Sequence, residues 1–328
     1  MLEHGGQTRA AAARYGIALE DWLDLSTGIN PIPFELPPIP PDVWARLPQE
    51  QDGLEQAAAA YYGTPDVLPV AGSQAALQLL PRLRSHCRAG VLHPGYTEHD
   101  HAWRNAGHEV VQLSAEKIVD AVDSLKVLVL TQPNNPTGTL FSATDLHEWH
   151  MRLAARGGWL IVDEAFIEAS AQASCVQPQM PHGLIVLRSL GKFFGLAGAR
   201  VGFVLAHPEL LTALRDMLGP WAMAGPSRFV AQAALRDSAW QAATRERLLQ
   251  DGARLAQLLR AAGLPPAGGC GLFQWVPAEK AEAIHRQLAQ RGILTRCFAD
   301  PSSLRFGLPG SVVNWDRLRS ALAELNTK

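Results

Sequence analysis

The stretch "RSLGKFFGLAGARVGF", Arg188–Phe203, is apolar and glycine-rich, yet it carries Ser189, Lys192 and Arg200 at fixed intervals. A single lysine in such a run has two readings. Its stem can lie along apolar surface with the ammonium in water. Alternatively, partial desolvation lowers its pKa and turns it into a nucleophile able to form a Schiff base with a carbonyl group. Nothing inside the stretch decides between them, so the decision falls to whatever the rest of the chain can place around Lys192.

Working outward from that stretch, short apolar strands alternate with helical patterns from about Gly53 to Ala206. "VLPVAG" (67–72) leads into "SQAALQLLPRL". "GVLHP" (90–94) precedes "EHDHAWRNAG", and "KVLVLTQP" (126–133) precedes "SATDLHEWHMRLAARGG". "GWLIVDEAF" (158–166), "GLIVLRS" (183–189) and "RVGFVLA" (200–206) follow. Runs such as Val127–Leu130 and Leu160–Val162 are apolar on successive residues, which demands burial on both faces. That predicts an α/β fold with a mostly parallel central sheet and helices on both sides. Ser142 with Asp145 three residues on reads as a capped helix start, and Gly157–Gly158 as its end.

After Pro208 the pattern changes. An alanine- and leucine-rich region over about Ser227–Ala262 ends at "GLPPAGG". Short strands and helices follow ("GLFQWV", "EKAEAIHRQLAQRG", "ILTRCF", "SLRFGLP" and a last helix from about Trp315), predicting a small α+β domain. "NPIPFELPPIPPD" (30–42) is proline-dense and should run extended as a crossing arm. The expected division is an N-terminal arm over 1–47 joining the small domain, a large cofactor-binding domain over 48–225, and connecting helices with the small C-terminal domain over 226–328.

Bulk properties narrow the class. The 328 residues suffice for one large core and a smaller second domain, and at a net charge of −2 there is no basic excess to attract nucleic acid. The first residues hold no apolar segment of signal-peptide length and no run approaches membrane-spanning length, so a cytoplasmic protein with no membrane partner is expected. Four cysteines, Cys87, Cys175, Cys270 and Cys297, lie far apart without a CxxC pair, against a disulfide framework or zinc ribbon; isolated, mostly buried thiols are expected.

Several motifs carry no chemistry on this reading. "HEWH" (147–150) has its histidines three apart rather than the four of a zinc-protease helix, and "HDH" (99–101) lacks a placed third ligand. Both read as solvated helix faces, and no metal is expected. "GGCG" (268–271) precedes a strand, not a helix, so it is no dinucleotide fingerprint. Four features at the carboxyl ends of the inferred strands remain, where α/β folds put ligands. Gly72, Ser73 and Gln74 bridge a strand and a helix and can cradle a phosphate, although any tight strand–helix turn looks the same. "TQPNNPTG" (131–138) leaves a buried strand and turns through Asn-Pro. Asp163 ends an apolar strand, where a carboxylate implies a cationic partner. Ser189, Lys192 and Arg200 add a hydroxyl, an amine and a guanidinium.

Together these parts describe one ligand with a phosphate (Gly72–Gln74, Ser189, Arg200), a cationic ring nitrogen (Asp163) and an aldehyde (Lys192). That ligand is pyridoxal 5′-phosphate. Here the chain resembles, over nearly its whole length, fold-type I pyridoxal-phosphate enzymes of the aminotransferase superfamily, in the histidinol-phosphate aminotransferase-like branch. The resemblance implies that Lys192 forms the Schiff base, Asp163 pairs with the pyridine nitrogen, Asn135 bonds the phenolic oxygen, and Tyr96 of "HPGYTEH" stacks on the ring. It also implies that Arg305 of "SLRFGLPG" grips the substrate carboxylate and that Arg296 of "GILTR" faces the substrate's own phosphate.

Two departures narrow the branch. Its aminotransferases usually read DEAY, whereas this chain reads "DEAF", so Phe166 lacks the phenol directed at the cofactor's O3′. They usually carry a tyrosine where this chain has Leu47, and that tyrosine reaches the neighbouring subunit's cofactor phosphate. The start "EHGGQTRAAAARYGIALEDWLDLSTGINP" is instead similar to the L-threonine O-3-phosphate decarboxylases of the cobalamin pathway, with an early HGG and a later D-S/T-x-x-I-N-P pattern. "RLP", "DEAF" and "LRFGLPG" point the same way. The resemblance implies a homodimeric carboxy-lyase with substrate contacts from His4, Gly5, Gly6, Asn30, Asn135, Arg296 and Arg305, acting on a small phosphorylated amino acid. The nearest alternative is a histidinol-phosphate or related aminotransferase. The same residues serve both reactions, so residue chemistry alone leaves the bond to be cleaved open.

Overall fold

The computed structural model describes residues 4–325. Its centre is a seven-stranded sheet in the spatial order Val67–Val70, Gly202–Ala206, Leu184–Ser189, Trp159–Asp163, Val127–Thr131, Arg88–Leu92, Glu109–Leu113. Gly202–Ala206 runs antiparallel to both neighbours, and the remaining pairings are parallel. The expected two-sided burial holds along the central strands. Leu128, Leu130, Leu160 and Val162 enter one core cluster, while Val127, Val129 and Ile161 enter another. Burying each such side chain is worth about 1.5–3 kcal/mol, so these strands dominate the stability of the sheet.

Register then places the chemistry. Thr131 lies opposite Asp163, and Asp163 opposite Leu187, so the carboxyl ends of three adjacent parallel strands open at one level. There the chain leaves the sheet at Gln132–Gly138, Glu164–Ala169 and Leu190–Ala199. The helix Ala143–Ala154 starts as expected, with the Ser142 hydroxyl accepting from the Asp145 N–H.

The second part is a four-stranded antiparallel sheet in the order Arg296–Ala299, Ser302–Gly307, Phe273–Pro277, Gly268–Cys270. Arg296 and Arg305 face each other across its first pair. Leu23–Asp24 pairs in parallel with Ile293–Leu294, which ties the chain ahead of the proline-rich stretch to this smaller part.

The structure departs from the sequence reading in four places. Glu109–Leu113 is an additional strand; as an edge strand it is only partly buried, so its apolar pattern is weak. The alanine- and leucine-rich region Ser227–Ala262, in which the sequence pattern marks no internal boundary, is two helices, Gly225–Arg236 and Ser238–Ala261, divided where the Asp237 side chain accepts from Trp240 N–H and caps the second. Gly268–Cys270 does not merely precede a strand but forms one. The four cysteines are free but half-buried rather than buried.

Candidate active site

Asp163 forms the floor of a cavity of about 360 Å³ lined also by His4, Gly72, Ser73, Gln74, Tyr96, Glu98, Asn135, Phe166, Ser189, Lys192 and Arg200. The carboxylate is buried, with Oδ2 at 3.0 Å from His99 Nε2 and Oδ1 accepting from the Ala165 N–H at 3.1 Å. This corrects the reading of "HDH" as a solvated face. Helix Thr97–Asn105 buries Glu98, His99, Ala102 and Trp103 and leaves Asp100 and His101 outward. The i, i+3, i+4 spacing of His99 with Ala102 and Trp103 was the available clue. The same correction applies to "HEWH": His150 is buried and its Nε2 lies 2.9 Å from the His182 carbonyl, while His147 is exposed.

Lys192 stands in the loop after Leu184–Ser189. Its Nζ is 5.4 Å from the centre of the Phe166 ring and 3.5 Å from the Thr27 carbonyl. Burial, aided by Arg305 and Arg200 and opposed by Asp163, lowers its pKa from 10.5 to about 8. Phe166 packs edge-on against Phe273 at 5.1 Å. Gly28, at φ 63°, lets the arm pass close to that pair, since a Cβ there would sit 3.3 Å from the Phe166 ring. The lysine thus has an apolar wall in place of a phenol.

The proposed phosphate end is built from backbone. A Cβ at Gly72 would come within 2.7 Å of Arg200 Nη2, so only glycine lets the guanidinium approach. Arg200 itself sits at φ 52°, a left-handed conformation that costs a non-glycine residue about 1 kcal/mol or more, and such strain concentrates at functional sites. Ser189 Oγ accepts from Gly191 N–H at 3.2 Å and faces the same cavity. The Gln74 side chain, by contrast, is already committed: its amide donates to Glu98 at 2.7 Å and its oxygen accepts from the Tyr96 hydroxyl at 3.3 Å. Glu98, which sequence reasoning missed, also receives Gln78 and lies 2.9 Å from His4 Nε2. Burial, with Asp163 and Glu98 beside it, pushes the Tyr96 phenol up to about 12, so the ring presents a neutral face.

An adjoining cavity of about 270 Å³ is lined by His4, Gly5, Tyr96, Asn135, Lys192, Arg296, Phe298 and Arg305, among others. Arg305 is buried. Its Nη1 donates to Asn135 Oδ1, its Nη2 donates to the Ser26 carbonyl at 2.5 Å, and its Nε is buried without a hydrogen-bond partner. Burial first, and the neighbouring Arg296 second, lower its pKa to about 10. Arg296 lies with its guanidinium carbon 5.2 Å from the Phe298 ring centre. The glycines of the HGG start are needed for close approach: a Cβ at Gly5 would fall 2.5 Å from the Ser26 carbonyl, and Gly6 N–H donates to Ser26 Oγ at 2.8 Å. Asn30 is not brought to either cavity. Its amide nitrogen donates to the Phe193 carbonyl at 2.8 Å and its oxygen accepts from Ile32 and Arg247, each at 3.1 Å. Leu47 is exposed.

These residues suit pyridoxal 5′-phosphate: a primary amine of lowered pKa, a buried carboxylate opposite it, a cradle that a Cβ would fill, and an aromatic ring at the wall. A separate group, His182, His207 and Glu209, has ligand-type atoms within 4.8 Å of one another, but none of the three lines these cavities.

Residues 45–322 match the family model for aminotransferase class I and II. A threonine-phosphate decarboxylase of Pseudomonas aeruginosa is 56% identical over 98% of this chain and 97% of its own length. One from Sinorhizobium sp is 42% identical over 99% of this chain and 98% of its own length. The solved structure of a histidinol-phosphate aminotransferase from Sinorhizobium meliloti in complex with pyridoxal-5′-phosphate is similar at a TM-score of 0.81, with 23% identity, over 98% of this chain and 95% of that one. The chain belongs to the aminotransferase class I and II family and, within it, to the threonine-phosphate decarboxylases.

Proposed function

We propose that the protein decarboxylates L-threonine O-3-phosphate to (R)-1-aminopropan-2-yl phosphate and CO₂, using pyridoxal 5′-phosphate, in making the aminopropanol arm of cobalamin. The observation that carries this reading is the pairing of two cavities at Lys192: one ends in Asp163 and the Gly72–Arg200 cradle, the other in Arg296 and Arg305. The first suits a cofactor with one phosphate and one basic ring nitrogen. The second suits a substrate with two anionic ends.

When bound, the cofactor supplies an electron sink for the pair left on the substrate's Cα as the carboxylate departs as CO₂. Asp163, held by His99 and Ala165 N–H, would pair with the ring nitrogen of the cofactor. Gly72, Ser73, Ser189 and Arg200 would hold the cofactor phosphate, the Tyr96 ring would stack on the cofactor ring, and Asn135 would bond its phenolic oxygen. Gln74 acts through its backbone, since its side chain bonds Glu98. Lys192, whose amine is in part neutral at a pKa of about 8, would hold the cofactor by its aldehyde and, once the substrate amine had taken its place there, would be free to carry the proton that Cα needs after CO₂ leaves. Arg305 takes the substrate carboxylate and Arg296 the substrate phosphate, with His4, Gly5 and Gly6 closing that end. Phe166, packed on Phe273 and approached by Gly28, gives the lysine an apolar wall on one side.

A homodimer in the cytoplasm belongs to the same reading. Trp44, Leu47 and Trp221 are 67%, 63% and 59% exposed, and large apolar side chains left open to solvent support an interface there. No helix among the described residues is long and apolar enough to cross a membrane. That the N-terminal arm joins the smaller part is supported by the pairing of Leu23–Asp24 with Ile293–Leu294.

The test is to mix enzyme with threonine phosphate and no keto acid. Sustained CO₂ release with stoichiometric phosphorylated aminopropanol is expected. A single turnover per site, with activity restored by 2-oxoglutarate, would make the protein an aminotransferase.

A further inference from the structure

The side chain of Asn30 turns away from both cavities, and its hydrogen bonds lead elsewhere. Its backbone N–H donates to the Lys192 carbonyl at 3.0 Å and its amide nitrogen to the Phe193 carbonyl at 2.8 Å. Further along the arm, Phe34 N–H donates to the Phe194 carbonyl at 2.9 Å. The arm also passes so near the turn that a Cβ at Gly195 would lie 2.7 Å from Pro33 Cα. Three successive carbonyls, those of Lys192, Phe193 and Phe194, therefore accept from the arm. The Lys192 carbonyl also accepts from Gly195 N–H at 3.2 Å within its own turn, and none of the three accepts from the sheet from which the lysine loop departs.

What aims the arm is a third element. Helix Ser238–Ala261 presents Trp240, Arg247 and Asp251 along one side, spaced seven and four residues apart. Trp240 lies flat on Phe194 at 5.5 Å and edge-on to Phe34 at 5.4 Å, gripping both partners of that hydrogen bond. Arg247 Nη2 donates to Asn30 Oδ1 at 3.1 Å, and Asp251 lies 3.6 Å from its Nη1. A guanidinium on the amide oxygen withdraws electron density and strengthens the N–H donors on the same group. It also fixes which end of the Asn30 amide faces Phe193.

We infer that Arg247 is a positioning residue for Lys192, acting through the Asn30 side chain, and that the arm–helix pair rather than the sheet sets the direction of the lysine stem. The inference rests on Lys192 being the amine that captures the cofactor. It gives the I-N-P motif its role in this chain: Asn30 orients the lysine turn and does not touch substrate.

The test compares the full-length wild type with Arg247→Met, Arg247→Gln and Arg247→Lys. In cofactor-free protein, amide exchange at Asn30 is expected to speed up about tenfold in Arg247→Met, the loss of one charge-assisted hydrogen bond. Borohydride trapping of pyridoxal 5′-phosphate on Lys192, followed by mass spectrometry, is expected to slow by about the same factor, with kcat falling and KM unchanged. Arg247→Lys, which keeps a charged donor, recovers most of both. Should Arg247→Met fail to fold, Arg247→Gln takes its place in the same measurements. Unchanged exchange at Asn30 overturns the inference, as does a rate loss that merely follows a lowered melting temperature in all three variants. Failure of the wild type to form any adduct on Lys192 would instead sink the reading of the active site itself.

Discussion

Arg188 and Arg305 are equally buried, each 5% exposed, yet they are opposite devices. Arg188 is enclosed by Glu164 at 3.0 Å and Glu168 at 2.6 Å and lies over the Tyr62 ring. Burial pulls its pKa down, but Glu168 and Glu164 more than offset this and raise it. Among the described residues Arg305 hydrogen-bonds only the neutral oxygens of Asn135 and Ser26, lies over the Phe273 ring, and has its pKa lowered to about 10. A cation whose charge is cancelled inside the protein braces the fold. One that is buried with only neutral oxygens around it is held ready for an anion from outside.

Removing each charge is the sharpest way to break this comparison. Arg188→Met leaves two buried carboxylates facing each other and is expected to destabilise the fold by about 3–5 kcal/mol, with Glu164→Gln and Glu168→Gln restoring part of it. Arg305→Met removes an uncancelled charge. It is expected to leave the melting temperature unchanged or raised while lowering kcat/KM on threonine phosphate by about 10²–10³-fold. Urea titration and steady-state kinetics on the two variants check both. A stability loss in Arg305→Met as large as that in Arg188→Met would erase the distinction.

Arg296 sharpens it within the substrate end. If Arg305 takes the carboxylate and Arg296 the phosphate, Arg296→Ala raises KM for phosphorylated threonine by about tenfold or more, the worth of one charge-assisted pair, and spares weak activity on unphosphorylated threonine. An equal proportional loss on both substrates would remove Arg296 from the phosphate.

The contrast also marks how far the sequence was legible. The strands, and the gathering of Asp163, Ser189 and Lys192 at one end of the sheet, follow from unbroken apolar runs ending in polar residues, because two-sided burial leaves those runs one placement. Glu164 and Arg188 adjoin Asp163 and Ser189 in the chain, and only the fold shows that Arg188 reaches Glu164, Glu168 and Ser174 inside the core. His99 was hidden by its neighbours: Asp100 and His101 make the segment look solvated, although the helix period turns His99 inward. Asn30 sits in a motif whose family role suggested substrate contact. Its actual partners, Phe193 and Arg247, are 163 and 217 residues away, a distance no local pattern spans.

A smaller effect concerns pH. The Lys192 ammonium titrates at about 8 in the folded chain, against an ordinary value of 10.5 for a lysine in water. Below about pH 8 the folded and unfolded chains both carry this proton, and the cost of burying the ammonium is fully present. Between about 8 and 10.5 the unfolded chain holds a proton that the fold has released, so this group's contribution to stability rises with pH. In cofactor-free protein the difference in melting temperature between wild type and Lys192→Met is therefore expected to shift toward the wild type across that window. A flat difference would mean that the lysine is not desolvated. The same variant is expected to take no borohydride-trapped cofactor.

The smallest expected effect tests the wall rather than the charges. Phe166→Tyr restores the phenol that the aminotransferases of this branch usually carry. The ring already packs edge-on to Phe273 and against the glycine-only turn at Gly28, so the backbone has no reason to move. Cofactor should still be trapped on Lys192, and its amine should titrate within about one unit of the wild type, since a single neutral hydroxyl perturbs a buried lysine far less than the two arginines nearby. CO₂ release from threonine phosphate should persist without a keto acid. The choice of which bond at Cα breaks depends on how the carboxylate and phosphate are held, and Phe166 holds neither. A switch to one turnover followed by dependence on 2-oxoglutarate would show that the wall, and not the arginines, selects the reaction. It would move the specificity of this site from Arg296 and Arg305 to the ring at 166.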